Sequence, residues 1–291
     1  MAGHDGSGRG TLNVRRTIAG VGLAAALIIA LGFWSGASGM LDQHFLYFPT
    51  SEIIGSPENY GIAYEDVHFE ASDGRRLHGW FVPGAGDVTL LWHHGNGGNI
   101  GHRLPDIALF HRELGVNILI FDYRGYGKSA GTPSEEGLYR DSEAALQHLQ
   151  SREDVDPARI VYLGRSLGVA IATELATRHR SYGLILESGF PSIEYMSEVV
   201  RPWLPAWVVH RIIAARYDTG SKVGGLDAPV LVVHGDADDT VPIEAGRALF
   251  DAATEPKAFY VVEGANHDDV SAVGGRAYVE RLRAFIDGLG G

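Results

Sequence analysis

Residues 159–172 read Arg-Ile-Val-Tyr-Leu-Gly-Arg-Ser-Leu-Gly-Val-Ala-Ile-Ala, and the rest of the chain is organised around this stretch. A β-branched apolar run leads into Gly164-Arg165-Ser166-Leu167-Gly168, and an alanine-rich run typical of a helix follows it. A Gly-x-Ser-x-Gly motif between a strand and a helix forms a tight, strained turn that presents its serine. We therefore predict that Ser166 is a nucleophile, exposed at a helix N-terminus where backbone N–H groups favour negative charge.

A second Gly-x-Ser-x-Gly motif, Gly127-Lys128-Ser129-Ala130-Gly131, has a different context. Ser129 lies several residues beyond the preceding predicted strand, and the next predicted helix begins only later. There, Thr132 reads as the N-cap, Pro133 as the first helical residue and Glu135 as the residue that completes a capping box. These signals predict that Ser129 is a loop residue and not the nucleophile.

Apolar runs alternate with helical patterns over most of the chain. The segments 67–69 and 77–82 flank the turn signal Ser72-Asp73-Gly74, which predicts an antiparallel hairpin. Continuous apolar runs are typical of a parallel sheet covered on both faces; they lie at 88–92, 116–121, 160–163, 184–186, 230–233 and 259–262. We predict one α/β domain over residues 64–291, with about eight strands, antiparallel first and parallel after.

Composition excludes several classes of protein. The 291 residues are enough for one large domain with a sizeable core. The formal net charge of −12 argues against a nucleic-acid partner. The chain has no cysteine, which rules out disulfides and thiolate metal sites. The sequence leaves the oligomeric state open.

The N-terminal part has the pattern of a membrane segment. Residues 1–16 are polar and read as a short tail, and 17–41 carry no charge. Because about 20 apolar residues span a bilayer, we predict a transmembrane helix over 17–41. A cleaved signal peptide is the alternative, since small residues at 35–39 permit cleavage.

The charges around this segment predict its orientation. Arg9, Arg15 and Arg16 precede it, and no Lys or Arg follows until Arg75. Because positive charges stay on the cytoplasmic side, we expect a cytoplasmic N-terminus and an extracytoplasmic catalytic domain. Cleavage of a signal peptide would give the same side but a secreted product.

Two further segments flank or interrupt the predicted domain. Residues 42–63 read as an irregular linker rich in aromatic residues. The reach from about 190 to 225 is longer than one crossover helix needs. It is either a covering helix with its loops or a small cap over the site, in which Trp203 and Trp207 contact an apolar substrate.

Five motifs occur in order along the chain: His94-Gly95-Asn96-Gly97-Gly98-Asn99, Asp122-Tyr123-Arg124-Gly125-Tyr126-Gly127-Lys128-Ser129, Gly164-Arg165-Ser166-Leu167-Gly168, the segment 234–242 (HGDADDTVP) and Gly264-Ala265-Asn266-His267. In these motifs, over residues 64–289, the chain resembles α/β-hydrolases of the serine-aminopeptidase-like type, in particular the membrane-anchored α/β-hydrolase-domain proteins. The resemblance implies an α/β-hydrolase fold, with helices on both faces of a mostly parallel sheet.

The resemblance also implies partners for the serine. A serine hydroxyl is a weak nucleophile and needs an adjacent base. The base is expected after the last strand, where His267 follows a Gly-Ala-Asn turn. The orienting acid is expected after the strand before it. Asp236, Asp238 and Asp239 all follow that strand, and the family pattern His-Gly-x-x-Asp points to Asp238. The resulting order of Ser, Asp and His is that of α/β-hydrolases.

Acyl transfer also needs two N–H donors for the oxyanion. The expected donors are the backbone N–H groups of Leu167, directly after the serine, and of Asn96, in a glycine-rich loop. His93, His94 and Asp122 offer metal-ligand types, but His94 matches a structural His-Gly turn of the family, so no metal and no cofactor are expected. The Gly-Lys-Ser at 127–129 lacks the first glycine of a phosphate-binding loop.

Together these observations predict a membrane-anchored serine hydrolase. The catalytic residues are Ser166, Asp238 and His267, and the substrate is a small or lipophilic carboxylic ester, with thioesters and amides left open. The alternatives are a serine peptidase and a hydrolase fold used only as a binding module.

Overall fold

The structure is a computed structural model that describes residues 38–200, 203 and 205–290. Its strands are β1 (Phe48–Pro49), β2 (Glu65–Glu70), β3 (Arg76–Val82), β4 (Thr89–His93), β5 (Gly97–Gly98), β6 (Asn117–Asp122), β7 (Ile160–Arg165), β8 (Gly183–Glu187), β9 (Val230–Gly235) and β10 (Lys257–Val262). Its helices are α1 (Ser38–Phe45), α2 (Leu104–Leu114), α3 (Glu135–Gln150), α4 (Leu167–Arg178), α5 (Ile193–Val200), α6 (Ala206–Ile212), α7 (Thr219–Val223), α8 (Ile243–Ala252) and α9 (Val270–Gly288).

Eight strands form the central sheet, in the order β10-β9-β8-β7-β4-β6-β3-β2. The hairpin β2–β3 is antiparallel, with Glu65 opposite Phe81, and β3 also runs antiparallel to β6. All other neighbours in this sheet are parallel. The predicted sheet of about eight strands, antiparallel first and parallel after, is confirmed. Each continuous apolar run in the sequence contributes to one strand.

Both faces of the sheet are covered, which explains why its strands are apolar without alternation. Side chains of a strand point to opposite faces in turn. In β7, Tyr162 therefore packs into one core cluster with residues of α3 and α4, whereas Val161 and Leu163 pack into another. Helices α2 and α9 cover that second face, through residues such as Ile107 and Leu282.

The segment at 42–63 differs from the irregular linker expected from the sequence. It contains the second half of α1, the short strand β1 and a 3₁₀ helix over Pro57–Tyr60. The N–H of Phe48 donates to the carbonyl of Asn96 at 3.0 Å, and β1 pairs in parallel with β5. The Tyr47 hydroxyl is buried and lies 2.6 Å from that of Tyr217. The globular unit therefore includes residues well before 64.

Residues 17–37 of the predicted transmembrane helix lie outside the described residues, and its last four residues begin α1. Among the helices that the structure describes from residue 38 onward, none is long and apolar enough to cross a bilayer. The membrane segment therefore stays a prediction.

The start of α3 differs from the predicted capping box. The N-cap is Ser134, whose side chain accepts the N–H of Gly137 at 3.2 Å. The Glu135 carboxylate bonds instead to a distant segment, where it accepts the N–H groups of Arg216 at 2.6 Å and Tyr217 at 2.8 Å. A tertiary partner thus replaces the local bond that the spacing favoured.

The long connection between β8 and β9 contains the three short helices α5, α6 and α7. Helix α5 packs on α6, and α6 packs on α1 from the N-terminal segment. This reach is therefore more than one crossover helix, and it forms the layer that borders the site described next.

Candidate active site

Ser166 lies in the sharp turn between β7 and α4, with φ of 55°. A positive φ is strained for any residue with a side chain and persists only where the surroundings enforce it. The Ser166 N–H donates to the Glu187 carbonyl at 2.8 Å, and a Cβ at Gly168 would come within 2.0 Å of the His93 carbonyl oxygen. The motif glycine is thus required by the close approach of α4 to β4. Ser166 is only 8% exposed, less than the sequence analysis expected.

The structure brings Ser166, His267 and Asp238 together from three strand ends. His267 Nε2 lies 2.9 Å from Ser166 Oγ, and His267 Nδ1 lies 2.7 Å from Asp238 Oδ2. Asp238 follows β9, and His267 follows β10. A serine bonded to a histidine that is itself bonded to a carboxylate is the geometry of a nucleophile, a general base and its orienting acid.

The two rival aspartates have other partners. Asp236 accepts the N–H of Gly264 at 2.6 Å and so joins two loops. Asp239 accepts the Thr240 hydroxyl at 3.3 Å and is exposed. Of the three aspartates after β9, only Asp238 hydrogen-bonds to His267 within the described part of the chain.

Asp238 is held as a carboxylate. Burial raises its pKa, but hydrogen bonds from His234 and His267 and the N–H of Val241 outweigh burial and bring the pKa well below its ordinary value. His234 Nε2 lies 2.8 Å from the carbonyl oxygen of Val241 and 3.4 Å from Asp238 Oδ2. The motif at 234–242 carries no signal for a role of His234, which here lies next to the carboxylate that bonds to His267.

The two predicted oxyanion donors lie on either side of the serine. Leu167 is the first residue of α4, so its N–H is among those at a helix start that lack an intrahelical acceptor. Asn96 is held in place by other groups: its carbonyl accepts the Tyr126 hydroxyl at 2.8 Å, and its side chain donates to the Leu46 carbonyl at 3.0 Å. In the part of the chain that the structure describes, no hydrogen bond uses the Asn96 N–H.

Two depressions meet at this site. The first, here called the serine cavity, has a volume of about 420 Å³ and contains Ser166, His267, Asn96, Arg103 and Thr240 in its wall. The second, here called the apolar groove, has a volume of about 330 Å³. Its walls come from α1, α5 and α6; they are formed by Phe45, Leu46, Ile193, Met196, Ser197, Val200, Val209, Ile212, Ile213 and Thr240. Thr240 borders both depressions, so the groove adjoins the cavity.

The predicted substrate-contacting tryptophans lie elsewhere. Trp203 is 76% exposed and Trp207 is 62% exposed, and neither lines the apolar groove. The groove is instead lined mainly by aliphatic side chains, together with Met196 and Phe45. No local pattern marks these residues as a substrate site, because their approach depends on α1, whose residues were predicted to belong to the membrane segment and the linker.

The remaining polar candidates have structural partners. His94 is buried, its Nδ1 lies 2.6 Å from the Gly95 carbonyl oxygen, and its ring packs on Tyr123. His93 Nε2 lies 2.7 Å from the Ser142 hydroxyl. No group of three His, Asp or Glu side chains among residues 38–200 and 205–290 is arranged to hold a metal ion.

Ser129, the serine of the second motif, is also a structural residue. It is 7% exposed, donates to the Asp122 carbonyl at 2.6 Å, and accepts the N–H of His78 at 2.9 Å. Both hydroxyl functions therefore hold the loop after β6 against β3.

The sheet order, the strained serine turn and the helices on both faces define the α/β-hydrolase fold. Comparison with solved structures supports this class: a Pyrococcus furiosus esterase superposes with a TM-score of 0.69 at 20% identity, over 83% of this chain and 97% of its own. The structure of DcsB in complex with a substrate analogue gives a TM-score of 0.65 at 19% identity, over 78% of this chain and 99% of its own. At these identities the likeness shows the fold alone.

Sequence comparisons are more specific. Residues 87–220 match the family described as serine aminopeptidase, S33. The Arabidopsis thaliana alpha/beta hydrolase domain-containing protein WAV2 is 33% identical over 80% of this chain and 81% of its own. The Schizosaccharomyces pombe protein bem46 is 31% identical over 92% of this chain and 91% of its own. The chain belongs to this family of serine-aminopeptidase-like α/β-hydrolase-domain proteins.

Proposed function

We propose that this protein is a serine hydrolase that cleaves carboxylic esters through an acyl-enzyme. The observation that carries the proposal is the continuous set of hydrogen bonds from Ser166 through His267 to Asp238, on a strained turn at the wall of a cavity. A binding module has no need of a serine in a strained conformation with a base at 2.9 Å.

The mechanism follows from the positions of these groups. Ser166 Oγ attacks the ester carbonyl carbon while His267 Nε2 takes its proton, and the C–O bond to the alcohol then breaks as His267 returns that proton to the leaving oxygen. Water attacks the acyl-enzyme in the same way, and the acid is released. The N–H groups of Asn96 and Leu167 stabilise the oxyanion in both steps.

Asp238 holds the catalytic histidine in one tautomer. Its carboxylate receives the Nδ1–H of His267, which leaves Nε2 free to accept the serine proton, and its charge stabilises the imidazolium that forms. The low pKa of Asp238 supports this assignment because the carboxylate stays ionised while His267 gains and loses its proton.

The substrate class is a lipophilic ester. The apolar groove, which adjoins the serine cavity at Thr240, offers aliphatic contacts along one side of the reacting bond. Burial of an acyl chain there contributes about 0.8 kcal/mol for each methylene group. Thioesters and amides use the same catalytic groups and are the neighbouring substrate classes to include in a test panel.

We also propose that the enzyme is attached to a membrane. This proposal is supported by the uncharged stretch at 17–41, with Arg15 and Arg16 before it, and the expected orientation puts the catalytic domain outside the cytoplasm. The orientation is tested with a reporter that is fused after Gly291 and is active only outside the cytoplasm. The anchor is tested by measuring whether the protein stays in the membrane fraction during carbonate extraction. A reporter active only in the cytoplasm would overturn the topology, and a soluble product starting near residue 40 would overturn the anchor.

Labelling with a fluorophosphonate probe tests the catalytic proposal. Ser166→Ala is expected to abolish labelling and to lower ester hydrolysis by about 10⁶-fold, as in other serine hydrolases that lose the nucleophile. Ser129→Ala is the matched control, since it removes the serine of the second motif, and it should still label. Labelling that survives in Ser166→Ala would refute the assignment of the nucleophile.

A further inference from the structure

Arg103 is a cation without a carboxylate partner in the wall of the serine cavity. One of its terminal nitrogens donates to the Gly97 carbonyl at 2.7 Å, and its buried Nε has no hydrogen-bond acceptor among the residues described. No carboxylate in the described ranges lies within ion-pair distance of it. A partly desolvated guanidinium without a counter-charge is costly unless an anion binds to it.

The neighbouring arginine in the same wall shows the contrast. Arg165 bonds through Nε to Glu187 and through a terminal nitrogen to Asp106 at 2.7 Å, so two carboxylates compensate its charge. Burial and the charge of Arg165 both lower the pKa of Arg103, which nonetheless stays protonated as arginine does in proteins. Within the described residues, Arg103 is therefore the arginine of the cavity wall that forms no ion pair, although the more distant charges of Asp268 and Asp106 raise its pKa.

One acidic side chain also borders the cavity. Asp268 is exposed and lies beyond ion-pair distance from Arg103, although its charge raises the pKa of the guanidinium. Asp268 therefore weakens the positive field at Arg103 without occupying its hydrogen-bond donors. Because Nε is buried and one terminal nitrogen binds Gly97, the other terminal nitrogen, for which the described residues offer no hydrogen-bond acceptor, is the donor available to a group that enters the cavity.

The site is thus polar and cationic on one side and apolar on the other. Arg103 borders the serine cavity, the aliphatic side chains line the apolar groove, and Thr240 lies where the two depressions meet. A substrate that fills both would need a hydrocarbon chain at one end and an anionic group near the reacting ester.

We propose that Arg103 is a specificity-determining residue that binds a carboxylate or phosphate on the alcohol part of an acyl ester, whose hydrocarbon chain lies in the apolar groove. This inference rests on the proposed ester hydrolysis. It names the substrate class as single-chain anionic amphiphiles and the products as a fatty acid and an anionic alcohol. Arginine suits this task because its planar guanidinium binds carboxylate or phosphate oxygens in pairs.

The test compares three esters with the same acyl chain. The alcohol is glycerol, glycerate or glycerol phosphate, so that the neutral, carboxylate and phosphate forms are matched. The full chain is assayed in uncharged detergent micelles, and kcat and KM are measured for each ester. Wild type is expected to favour at least one anionic ester by tenfold or more in kcat/KM, and the stronger arm identifies the anion.

Arg103→Met keeps the length of the side chain and removes its charge. It is expected to lower the anionic-to-neutral ratio of kcat/KM by about 10- to 100-fold, the usual size of a hydrogen bond to a charged group. Arg103→Lys should restore part of the ratio. Arg112→Met is the matched control, because Arg112 also donates to a backbone carbonyl, that of Tyr60 at 2.8 Å, but lies outside the cavity.

The outcomes separate this inference from the catalytic proposal. If wild type labels with a fluorophosphonate and hydrolyses the esters without preferring an anionic one, the inference on Arg103 fails and the proposed function stands. If wild type neither labels nor hydrolyses any ester, the proposed function fails. Equal loss for all three esters in Arg103→Met would show a purely structural role and overturn the inference.

Asp268→Asn, which removes the nearby negative charge, should raise the preference for the anionic esters. An unchanged preference would count against the inference even if Arg103→Met did not fold.

Discussion

The two regions that border Ser166 are built in different ways. At the sheet end, each member of the Ser–His–Asp set lies in the loop or turn that follows a strand, and short hydrogen bonds fix each side chain. The cover, by which we mean residues 42–50 with α5 and α6, meets the site mainly through half-exposed aliphatic side chains. We therefore expect the sheet end to determine the chemistry and the cover to determine which molecules reach it.

The cover is nonetheless tied to the rest of the molecule at a few points. The buried Asp42 carboxylate accepts the N–H groups of Ala214 at 2.8 Å and Ala215 at 3.0 Å, which join α1 to the end of α6. The Asn96 side chain donates to the Leu46 carbonyl, so the same segment also braces the loop of the proposed oxyanion donor. Through Asn96 the cover can influence the chemistry as well as the access.

The largest expected effect at the sheet end comes from substituting the aspartate that orients His267. We expect Asp238→Asn to lower kcat by about 10⁴-fold, because an amide leaves the histidine in the wrong tautomer and without charge stabilisation. Asp236→Asn is the matched control, and it should retain most of the activity, since the Asp236 side chain accepts the N–H of Gly264 and does not bond to His267 in the described part of the chain. Steady-state kinetics on one ester decide the matter, and a larger loss at Asp236 would contradict our assignment.

A second prediction concerns the buried histidines under the site. Burial lowers the pKa of both His93 and His94 to about 3. The unfolded chain takes up these protons near 6.5, whereas the folded chain does not, so stability is full above pH 6.5 and falls as the pH drops towards 3. The slope reaches at most about 2.7 kcal/mol per pH unit for the two groups together.

Urea unfolding between pH 6.5 and 5 measures this slope in a window that lies above the ordinary carboxylate range. The variant His94→Gln should have a smaller slope than wild type, because one of the two buried imidazoles is removed. A flat stability profile in this window would show that neither imidazole is held neutral in the folded protein.

The same contrast explains what the sequence could and could not predict. Ser166, Asp238 and His267 follow strands in local motifs, so their meeting follows from the rule that parallel strands end at one edge of the sheet. The cover depends on contacts between distant residues: Asp42 meets residues 172 and 173 positions away, which no local pattern indicates. Similarly, Arg103 forms no ion pair with the described residues because the tertiary fold holds their carboxylates beyond ion-pair distance, and no local pattern indicates this. Glu135 shows the same effect, since its spacing favoured a capping box and its carboxylate instead binds a distant segment.

A third prediction tests whether the cover reaches the chemistry. Asn96→Ala keeps the backbone N–H of the proposed oxyanion donor but removes the side-chain bond to the Leu46 carbonyl. Because loss of a whole donor costs about 10²- to 10³-fold, we expect a looser donor to lower kcat by about tenfold with a smaller change in KM. Asn59→Ala, which removes a local turn bond to the N–H of Ser56, is the control. An unchanged kcat in Asn96→Ala would confine the influence of the cover to access.

The smallest expected effect concerns whether the apolar groove or the exposed tryptophans contact the acyl chain. Met196 lines the apolar groove, whereas Trp207 is 62% exposed and does not. We expect Met196→Ser to lower the preference for a long over a short acyl ester by about fivefold, since it replaces apolar contact with a hydroxyl. Trp207→Ser should change this preference by less than about twofold, as is usual for surface positions. The measurement is the ratio of kcat/KM for two esters of the same alcohol, one with an acyl chain of about twelve carbons and one with an acyl chain of about four. If Trp207→Ser lost more of this preference than Met196→Ser, the acyl chain would bind near the exposed tryptophans. The groove would then have no role in substrate choice.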